Sequence, residues 1–245
     1  MPDCAACQLF QLESEGDTCL HVNRPGGLIL TEEALDICRL PIGANVLDVA
    51  SGVSTTLKYL IDQRMLNAVG LDLSLEMLRL GRKRYPELCL MQANCGQVPL
   101  RDASQQMVMM ECALSLTGSS VAALAEFERV LEPGGKLVVT DIYIREVADP
   151  AGIACLSATH CLAGTVTEDM IRHEVTASGF MLQVWQDQTT LFKQWLGAMV
   201  FKLGSLEAFY RQLATCESKA ESLGMALGKK IKLGYYLLIA EKRGS

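Results

Sequence analysis

Apolar segments with the length of strands alternate with helical patterns between residues 45 and 142, and this alternation restricts the chain to few folds. The predicted strands are Asn45–Val49, Ala68–Leu73, Leu88–Gln92, Gln106–Cys112 and Lys136–Ile142. The predicted helices between them are Ser54–Gln63, Ser74–Tyr85 and Val121–Leu131. Because strands separated by helices form βαβ units with right-handed crossovers, the pattern predicts a parallel sheet with helices on both faces.

The pattern loosens after residue 144, and the remaining elements are predicted to complete the same sheet. They are a helix over Thr165–Ser178, a strand over Phe180–Asp187, helical sequence from 190 to about 228 and a last strand over Leu233–Glu241. Two closing strands joined by a long insertion favour an antiparallel hairpin at one sheet edge. The predicted fold is therefore an α/β doubly wound sandwich with a seven-stranded, mostly parallel sheet.

Four hydroxyl side chains are predicted to begin helices, because Ser and Thr accept a hydrogen bond from a free backbone N–H at that position. Ser74 is predicted to cap the helix that runs to about Tyr85. Thr31 precedes a helix that runs to about Arg39. Thr165 and Glu168 have the spacing of a capping box. Ser205 is predicted to cap one piece of the helical insertion.

The charge balance and the cysteine content argue against several classes of protein. The chain has 22 basic and 28 acidic side chains and a net charge of −6, whereas a sequence-independent nucleic-acid binder needs a basic face. It lacks a basic start followed by an apolar run, and no apolar stretch approaches the roughly 20 residues of a membrane span. We therefore expect a cytoplasmic protein whose ten scattered cysteines are reduced and mostly buried.

The segment after the first strand has the composition of a ligand-binding turn. Asp48 is followed by Ala50, Ser51 and Gly52, small residues that let the backbone approach a ligand closely. Asp72 stands 24 residues beyond Asp48, at the end of the second strand, where an acid can accept both ribose hydroxyls of a nucleoside. Ligands of such sheets bind at the carboxyl ends of the strands, so both acids point to a nucleoside site.

Two classes of nucleoside compete for this turn. A dinucleotide site requires G-x-G-x-x-G, with the pyrophosphate on a helix N-terminus, and the chain retains only Gly52 of these glycines. A site for S-adenosylmethionine instead places an acid two residues before the turn, facing the cationic amino-acid end of the cofactor. The run Asp48-x-Ala50-x-Gly52-x-Ser54 fits this second arrangement better.

Four motifs together resemble class I S-adenosylmethionine-dependent methyltransferases of the type that includes quinone-biosynthesis enzymes. Besides the two turns, Gln92–Leu100 is similar to the family's acid-Ala-x-x-Leu-Pro-Phe segment, and Glu128–Leu137 to its RVLxPGG turn. The resemblance covers about residues 40–145 and weakly 165–185. It implies a Rossmann-like fold, S-adenosylmethionine as cofactor and a small-molecule acceptor, with no nucleic-acid or membrane partner.

The resemblance also implies which residues contact the cofactor. They are Asp48, Ala50, Ser51, Gly52, Asp72, Leu73, Met77, Asn94, Cys95 and Glu111. Asn94 stands where the family has Asp, and its amide oxygen is predicted to accept from the adenine amino group. The family has glycine at positions 50 and 54, so Ala50 and Ser54 are expected to add bulk beside the cofactor. No metal ion is predicted.

The same resemblance suggests an organisation of the chain. Residues 1–40 are predicted to form an N-terminal segment that lies over the cofactor as a lid, and residues 41–245 the methyltransferase domain. The insertion at about 190–228 is predicted to cover the substrate mouth or to make a homodimer contact. Arg24, in a turn signal before the first helix, is predicted either to bind a carboxylate of substrate or cofactor or to anchor the turn on backbone carbonyls.

No obligatory catalytic residue follows from the sequence, because methyl transfer from a sulfonium mainly requires alignment of the acceptor. The candidates are Glu111, Cys112 and Cys161. Cys161 precedes a Gly-containing turn in a segment similar to arsenite methyltransferases, in which such a cysteine binds arsenic. Glu111 can equally be a buried structural acid, and the cysteines inert packing. Cys4-x-x-Cys7 has metal-ligand spacing but no second pair.

Three functions remain open at this point. The first is a small-molecule methyltransferase, with thiolate-held trivalent arsenic as one soft acceptor. The second is an S-adenosylmethionine-binding protein without catalysis, which the altered glycines at the first turn suggest. The third is an NAD-dependent oxidoreductase.

Overall fold

The structure is a computed structural model that describes residues 24–149, 153, 156, 162, 164–213 and 230–244; at 210, 212 and 213 it describes the backbone alone. The predictions for Cys4, Cys7 and Cys161 lie outside the described residues, as does Cys155. The part of the insertion beyond residue 213 lies outside them as well.

Seven strands form one sheet, as the sequence predicts. They are β1 (Asn45–Val49), β2 (Asn67–Asp72), β3 (Leu90–Gln92), β4 (Gln105–Glu111), β5 (Leu131–Val147), β6 (Phe180–Asp187) and β7 (Ile231–Lys242). Their order is β3-β2-β1-β4-β5-β7-β6. Neighbours among β1 to β5 pair in parallel, and β7 pairs antiparallel with both β5 and β6. The predicted C-terminal hairpin at the sheet edge is therefore confirmed.

Helices cover both faces of this sheet. They are α1 (Ile29–Cys38), α2 (Thr55–Asp62), α3 (Leu75–Arg84), α4 (Ser120–Val130), α5 (Glu168–Ala177), α6 (Thr189–Leu203) and α7 (Leu206–Leu213). Successive side chains of a strand point to opposite faces: Leu47 and Val49 pack with α4 and α5 on one side, and Val46 packs with α1 and α2 on the other. Since both faces of the sheet centre are buried, the central strands β1 and β4 are apolar along most of their length.

Two of the four predicted helix caps are wrong. Helix α1 begins at Ile29, after Leu28, and Thr31 lies buried inside it, where its hydroxyl bonds to Arg24 and Glu111. Helix α5 begins at Glu168, three residues beyond Thr165. The other two are confirmed: the Ser74 hydroxyl accepts from the Met77 N–H at 3.3 Å at the start of α3, and the Ser205 hydroxyl accepts from the Ala208 N–H at 3.0 Å.

Strand β5 extends well beyond the predicted Lys136–Ile142. It pairs with β7 from Lys136–Glu241 to Val147–Ile231, and this partner strand, remote in sequence, supplies the hydrogen bonds that lengthen it. On the far side of β7, the ring of Trp185 stacks on Tyr236 with 4.5 Å between centroids. In the described part of the chain no helix is long and apolar enough to cross a bilayer.

Candidate functional site

The turn between β1 and α2 is built on alternating left-handed residues. Ala50, Gly52 and Ser54 have φ angles of 59°, 52° and 66°. Glycine adopts this region freely, whereas an L side chain there costs roughly 1–2 kcal/mol. The chain meets the requirement with glycine only at position 52. The neighbouring structure therefore holds Ala50 and Ser54 in a strained conformation.

Packing explains how the turn tolerates these two side chains. Ser54 is fully buried, and its hydroxyl oxygen lies only 2.8 Å from where a Cβ on Gly81 of α3 would stand. Ala50 packs against the apolar cluster that contains Leu47 and Val49. Ser54 thus uses its side chain to pack α3 against the turn.

Replacing Ala50 by glycine is expected to stabilise the protein. The Ala50→Gly change removes the steric cost of the left-handed conformation, and we expect a gain of about 1 kcal/mol in the free energy of unfolding, measured by urea denaturation. Ala125 lies exposed inside α4, and as a control Ala125→Gly is expected to lose about 1 kcal/mol. Equal losses from both changes would contradict the strain at position 50.

Asp72 connects the two turns at the ends of β1 and β2. Its Oδ2 accepts from the Gly52 N–H at 2.8 Å, and its Oδ1 accepts from the Ser74 N–H at 2.8 Å. Burial raises the pKa of this carboxyl, and these backbone donors act in the opposite direction. A carboxylate has about four acceptor positions, so two remain for donors of a ligand.

Asp48 lies on the central strand of this region, between β2 and β4, and is 3% exposed. Its Oδ2 atom is buried and has no hydrogen-bond partner among the described residues. Burial raises the pKa of Asp48 well above its ordinary value, and the negative charge of nearby Glu111 is the second-largest cause. A buried acid without donors is costly to ionise, so this carboxyl requires a proton or a cationic partner.

Glu111 ends β4 and is held by three side chains. The Arg24 guanidinium lies 2.6 Å from its Oε2, and both side chains are more than 90% buried. The hydroxyls of Thr31 and Thr56 each accept from Arg24 and donate to Glu111. The four residues form a closed buried network that fixes the segment before α1 against the end of β4.

Cys112 follows Glu111 in a left-handed conformation with φ 57°. Its N–H donates to the Thr140 carbonyl at 2.6 Å, which turns the chain sharply at the end of β4. The half-buried side chain packs against an apolar cluster built on Leu30, Phe192 and Tyr235. We call this cluster the aromatic wall; its residues come from α1, α6 and β7.

Asp141 supports the loop that follows Cys112. Its Oδ2 accepts from the Ser115 N–H at 2.7 Å, and its Oδ1 from the Ser115 hydroxyl at 3.2 Å and the Ile142 N–H at 2.7 Å. These bonds hold the 3-10 turn Leu114–Leu116 beside the end of β5. Burial nevertheless raises the pKa of Asp141 to about 6.

The raised pKa of Asp141 makes stability depend on pH. The folded protein holds this proton more tightly than the unfolded chain, so the contribution is full below pH 3.8 and is lost as the pH rises through about 6. In Asp141→Asn this loss should be absent. The difference in unfolding free energy between the two proteins should therefore change by about 2.5 kcal/mol from pH 4 to pH 7. Urea denaturation at several pH values in this range measures the difference in unfolding free energy, and the exposed Asp169→Asn variant is the control. A difference that does not change with pH would contradict the raised pKa of Asp141.

The structure places the other predicted cofactor residues around the same strand ends. Leu73 is 66% exposed, and the Met77 Cε atom lies 3.6 Å from where a Cβ on Gly52 would stand. The Asn94 amide oxygen accepts from the Gly96 N–H at 2.8 Å, so one of its acceptor positions is occupied by its own loop. Burial raises the pKa of the half-buried Cys95 thiol.

Sequence reasoning missed the residues that support the acids. Thr31 and Thr56 lie 25 positions apart in sequence and are joined through Arg24 and Glu111. No local pattern could have identified them. Asp141 carried a signal, because it is an acid that directly follows the apolar run of β5, as Asp72 follows β2.

A family model described as "Methyltransferase domain" matches residues 47–139. The match includes both turns and the three acids at the ends of β1, β2 and β4. Residues 47–139 form a methyltransferase domain. Among the described residues of this methyltransferase domain, no group of three or more His, Cys, Asp or Glu side chains could hold a metal ion.

Curated relatives match the same region. The chain is 38% identical over 99 residues to a demethylmenaquinone methyltransferase of Renibacterium salmoninarum. These 99 residues are 40% of this chain and 41% of that protein. It is 23% identical over 231 residues to an O-methyltransferase of Pyrenophora dematioidea, covering 87% and 80%. The first match therefore spans about two fifths of the relative's length.

A solved structure shows the same fold over the rest of the chain. The phosphoethanolamine N-methyltransferase 2 of Haemonchus contortus, in complex with S-adenosylmethionine, covers 98% of this chain with a TM-score of 0.74. This chain covers 57% of that one, at 15% sequence identity. The doubly wound architecture with its antiparallel closing strands is thus a fold that this methyltransferase domain shares with solved methyltransferases.

Proposed function

We propose that this protein transfers a methyl group from S-adenosylmethionine to a small-molecule acceptor by in-line displacement. The observation that carries the proposal is the unpartnered, buried Asp48 Oδ2 atom beside Asp72 and Glu111, in a region that matches the methyltransferase model. A buried acceptor without a donor suits a ligand with a cationic end. S-adenosylmethionine has such an end, so the residues present fit this cofactor.

Each acid has a separate role in the proposal. Asp72 is held by the Gly52 and Ser74 N–H groups, so its free acceptor positions would bind the ribose hydroxyls. Asp48 would face the amino-acid end, and Asn94 the adenine. The cofactor supplies a methyl group on a sulfonium, which leaves as a neutral thioether. The chain's own contribution is to align the acceptor with that methyl and to exclude water.

Glu111 is assigned a positioning role rather than a catalytic one. Its partners Arg24, Thr31 and Thr56 all donate to it, so its carboxylate is occupied. The aromatic wall beside Cys112 is placed to exclude water on the acceptor side of the domain. Part of this wall is α6, which supports the prediction that the insertion covers the substrate mouth.

Calorimetric titration of the full chain with S-adenosylmethionine and S-adenosylhomocysteine tests the proposal. We expect binding of both, followed by methyl transfer in a panel of quinols, amines, thiols and arsenite. The panel includes arsenite because Cys112 and Cys161 were predicted as soft ligands. Failure to bind either nucleoside would refute the cofactor assignment, and binding without transfer to any acceptor would favour the non-catalytic alternative.

The oligomeric state and the cellular compartment remain predictions from the sequence. The sequence predicts that the insertion covers the substrate mouth or makes a homodimer contact. Phe201 on α6 is 91% exposed, so sedimentation analysis of wild-type protein and Phe201→Ser would test the homodimer contact. Cys38, Cys89 and Cys95 are free thiols, in keeping with the cytoplasm as the expected compartment.

A further inference from the structure

Three carboxyl groups and one guanidinium share one electrostatic environment at the carboxyl ends of β1, β2 and β4. We call them the strand-end cluster: Asp48, Asp72, Glu111 and Arg24. Each of the other three acts on Asp48 through its charge. With all four ionised, three negative charges would face one positive charge.

The members of this cluster differ in their partners. Glu111 holds the charge of Arg24 and receives two hydroxyl hydrogen bonds. Asp72 accepts from two backbone N–H groups. Asp48 is more deeply buried than Asp72, yet its Oδ2 has no donor within the described part of the chain. The positive charge is thus paired with Glu111, and two backbone donors of the turns bond to Asp72.

Two neighbouring carboxylates therefore disfavour the ionisation of Asp48 from both sides: Asp72 on strand β2 and Glu111 on strand β4. Arg24, from the segment before α1, acts in the opposite direction, but its guanidinium is paired with Glu111. An isolated carboxylate in such a place takes up a proton instead of remaining charged. A bound cation reverses this preference, because an opposite charge favours the ionised form.

We propose that Asp48 is protonated in the cofactor-free protein and releases its proton to solvent when the ammonium group of S-adenosylmethionine binds. In this step the O–H bond of the carboxyl breaks, the proton passes to the buffer, and the carboxylate pairs with the ammonium. No bond of the cofactor changes. The proposal rests on the proposed function and makes cofactor affinity dependent on pH.

Calorimetry in buffers of different ionisation enthalpy measures the protons exchanged on binding. For the wild-type chain at neutral pH we expect release of about one proton per S-adenosylmethionine bound. At pH values below the pKa of Asp48 in the cofactor-free protein, the affinity should rise about tenfold for each unit of pH. Asp48→Asn keeps the shape of the side chain but has no proton to release, so its exchange should be about zero. The exposed Asp169→Asn variant is the control and should behave as wild type.

Two further measurements identify the source of the proton. 5′-Methylthioadenosine has the nucleoside but no amino-acid end, so its binding should release almost no proton. Infrared difference spectra of the wild-type chain should lose a protonated-carboxyl band when S-adenosylmethionine is added, and this readout does not depend on whether Asp48→Asn folds.

The possible outcomes separate the inference from the proposed function. Binding of S-adenosylmethionine without proton release would overturn the inference and leave the methyltransferase assignment intact. Equal release in Asp48→Asn would assign the proton to another acid, such as Asp72, and would also overturn it. Absence of binding altogether would instead refute the proposed function.

Discussion

The Asp72→Ala variant is expected to bind S-adenosylmethionine roughly 100- to 1,000-fold more weakly than the wild-type protein. The change removes the acceptor for two ribose hydroxyls, and each hydrogen bond to a charged group contributes about 1.5–3 kcal/mol. It also leaves the Gly52 N–H, which now donates to Asp72 at 2.8 Å, without its partner. Isothermal titration of both proteins measures the loss.

A matched control separates this effect from general damage. Asp169 is an exposed acid in the first turn of α5, and Asp169→Ala should leave the affinity unchanged. Asp72→Asn keeps one acceptor oxygen and should fall between the two. Circular dichroism and thermal unfolding verify that each variant is folded. If folded Asp72→Ala bound the cofactor as tightly as the parent, the site would have to lie elsewhere.

The Arg24→Met variant is expected to lose about 3–5 kcal/mol of unfolding free energy, because it leaves the Glu111 carboxylate buried without a counter-charge. The Arg24 side chain is 7% exposed and that of Glu111 is 4% exposed, so water cannot replace the guanidinium. The double variant Arg24→Met/Glu111→Gln removes the stranded charge as well. We expect it to recover most of the loss in urea denaturation.

An exposed ion pair provides the control for this prediction. Arg211 and Glu207 pair on α7 with side chains 57% and 68% exposed. Arg211→Met should therefore cost less than about 1 kcal/mol. With the single variant Glu111→Gln added, the wild type, Arg24→Met and the double variant complete a double-mutant cycle. A coupling energy no larger than that of the surface pair would show that the buried network is not formed.

Much of the fold could be predicted from local patterns. Strands β1 and β6 have the predicted bounds, because an apolar run between turn residues is a local property. The strand predicted for β5 was too short, because the observed strand is lengthened by pairing with β7, which joins residues about 100 positions apart. The cap at Thr31 was wrong for a related reason: its hydroxyl bonds to Glu111, 80 positions away, rather than to its own helix.

The candidate site, too, could be predicted from the sequence only in part. The order of residues in the chain already determined that Asp48 and Asp72 stand at the ends of neighbouring strands, because the strand pattern and the parallel topology require it. Only the tertiary structure decided which acid has a partner: Arg24 and two threonines bond to Glu111, and among the described residues the Asp48 Oδ2 atom has no donor. Periodicity and turn chemistry act between near neighbours along the chain, whereas a buried charge is satisfied by whatever groups the packed helices bring against it.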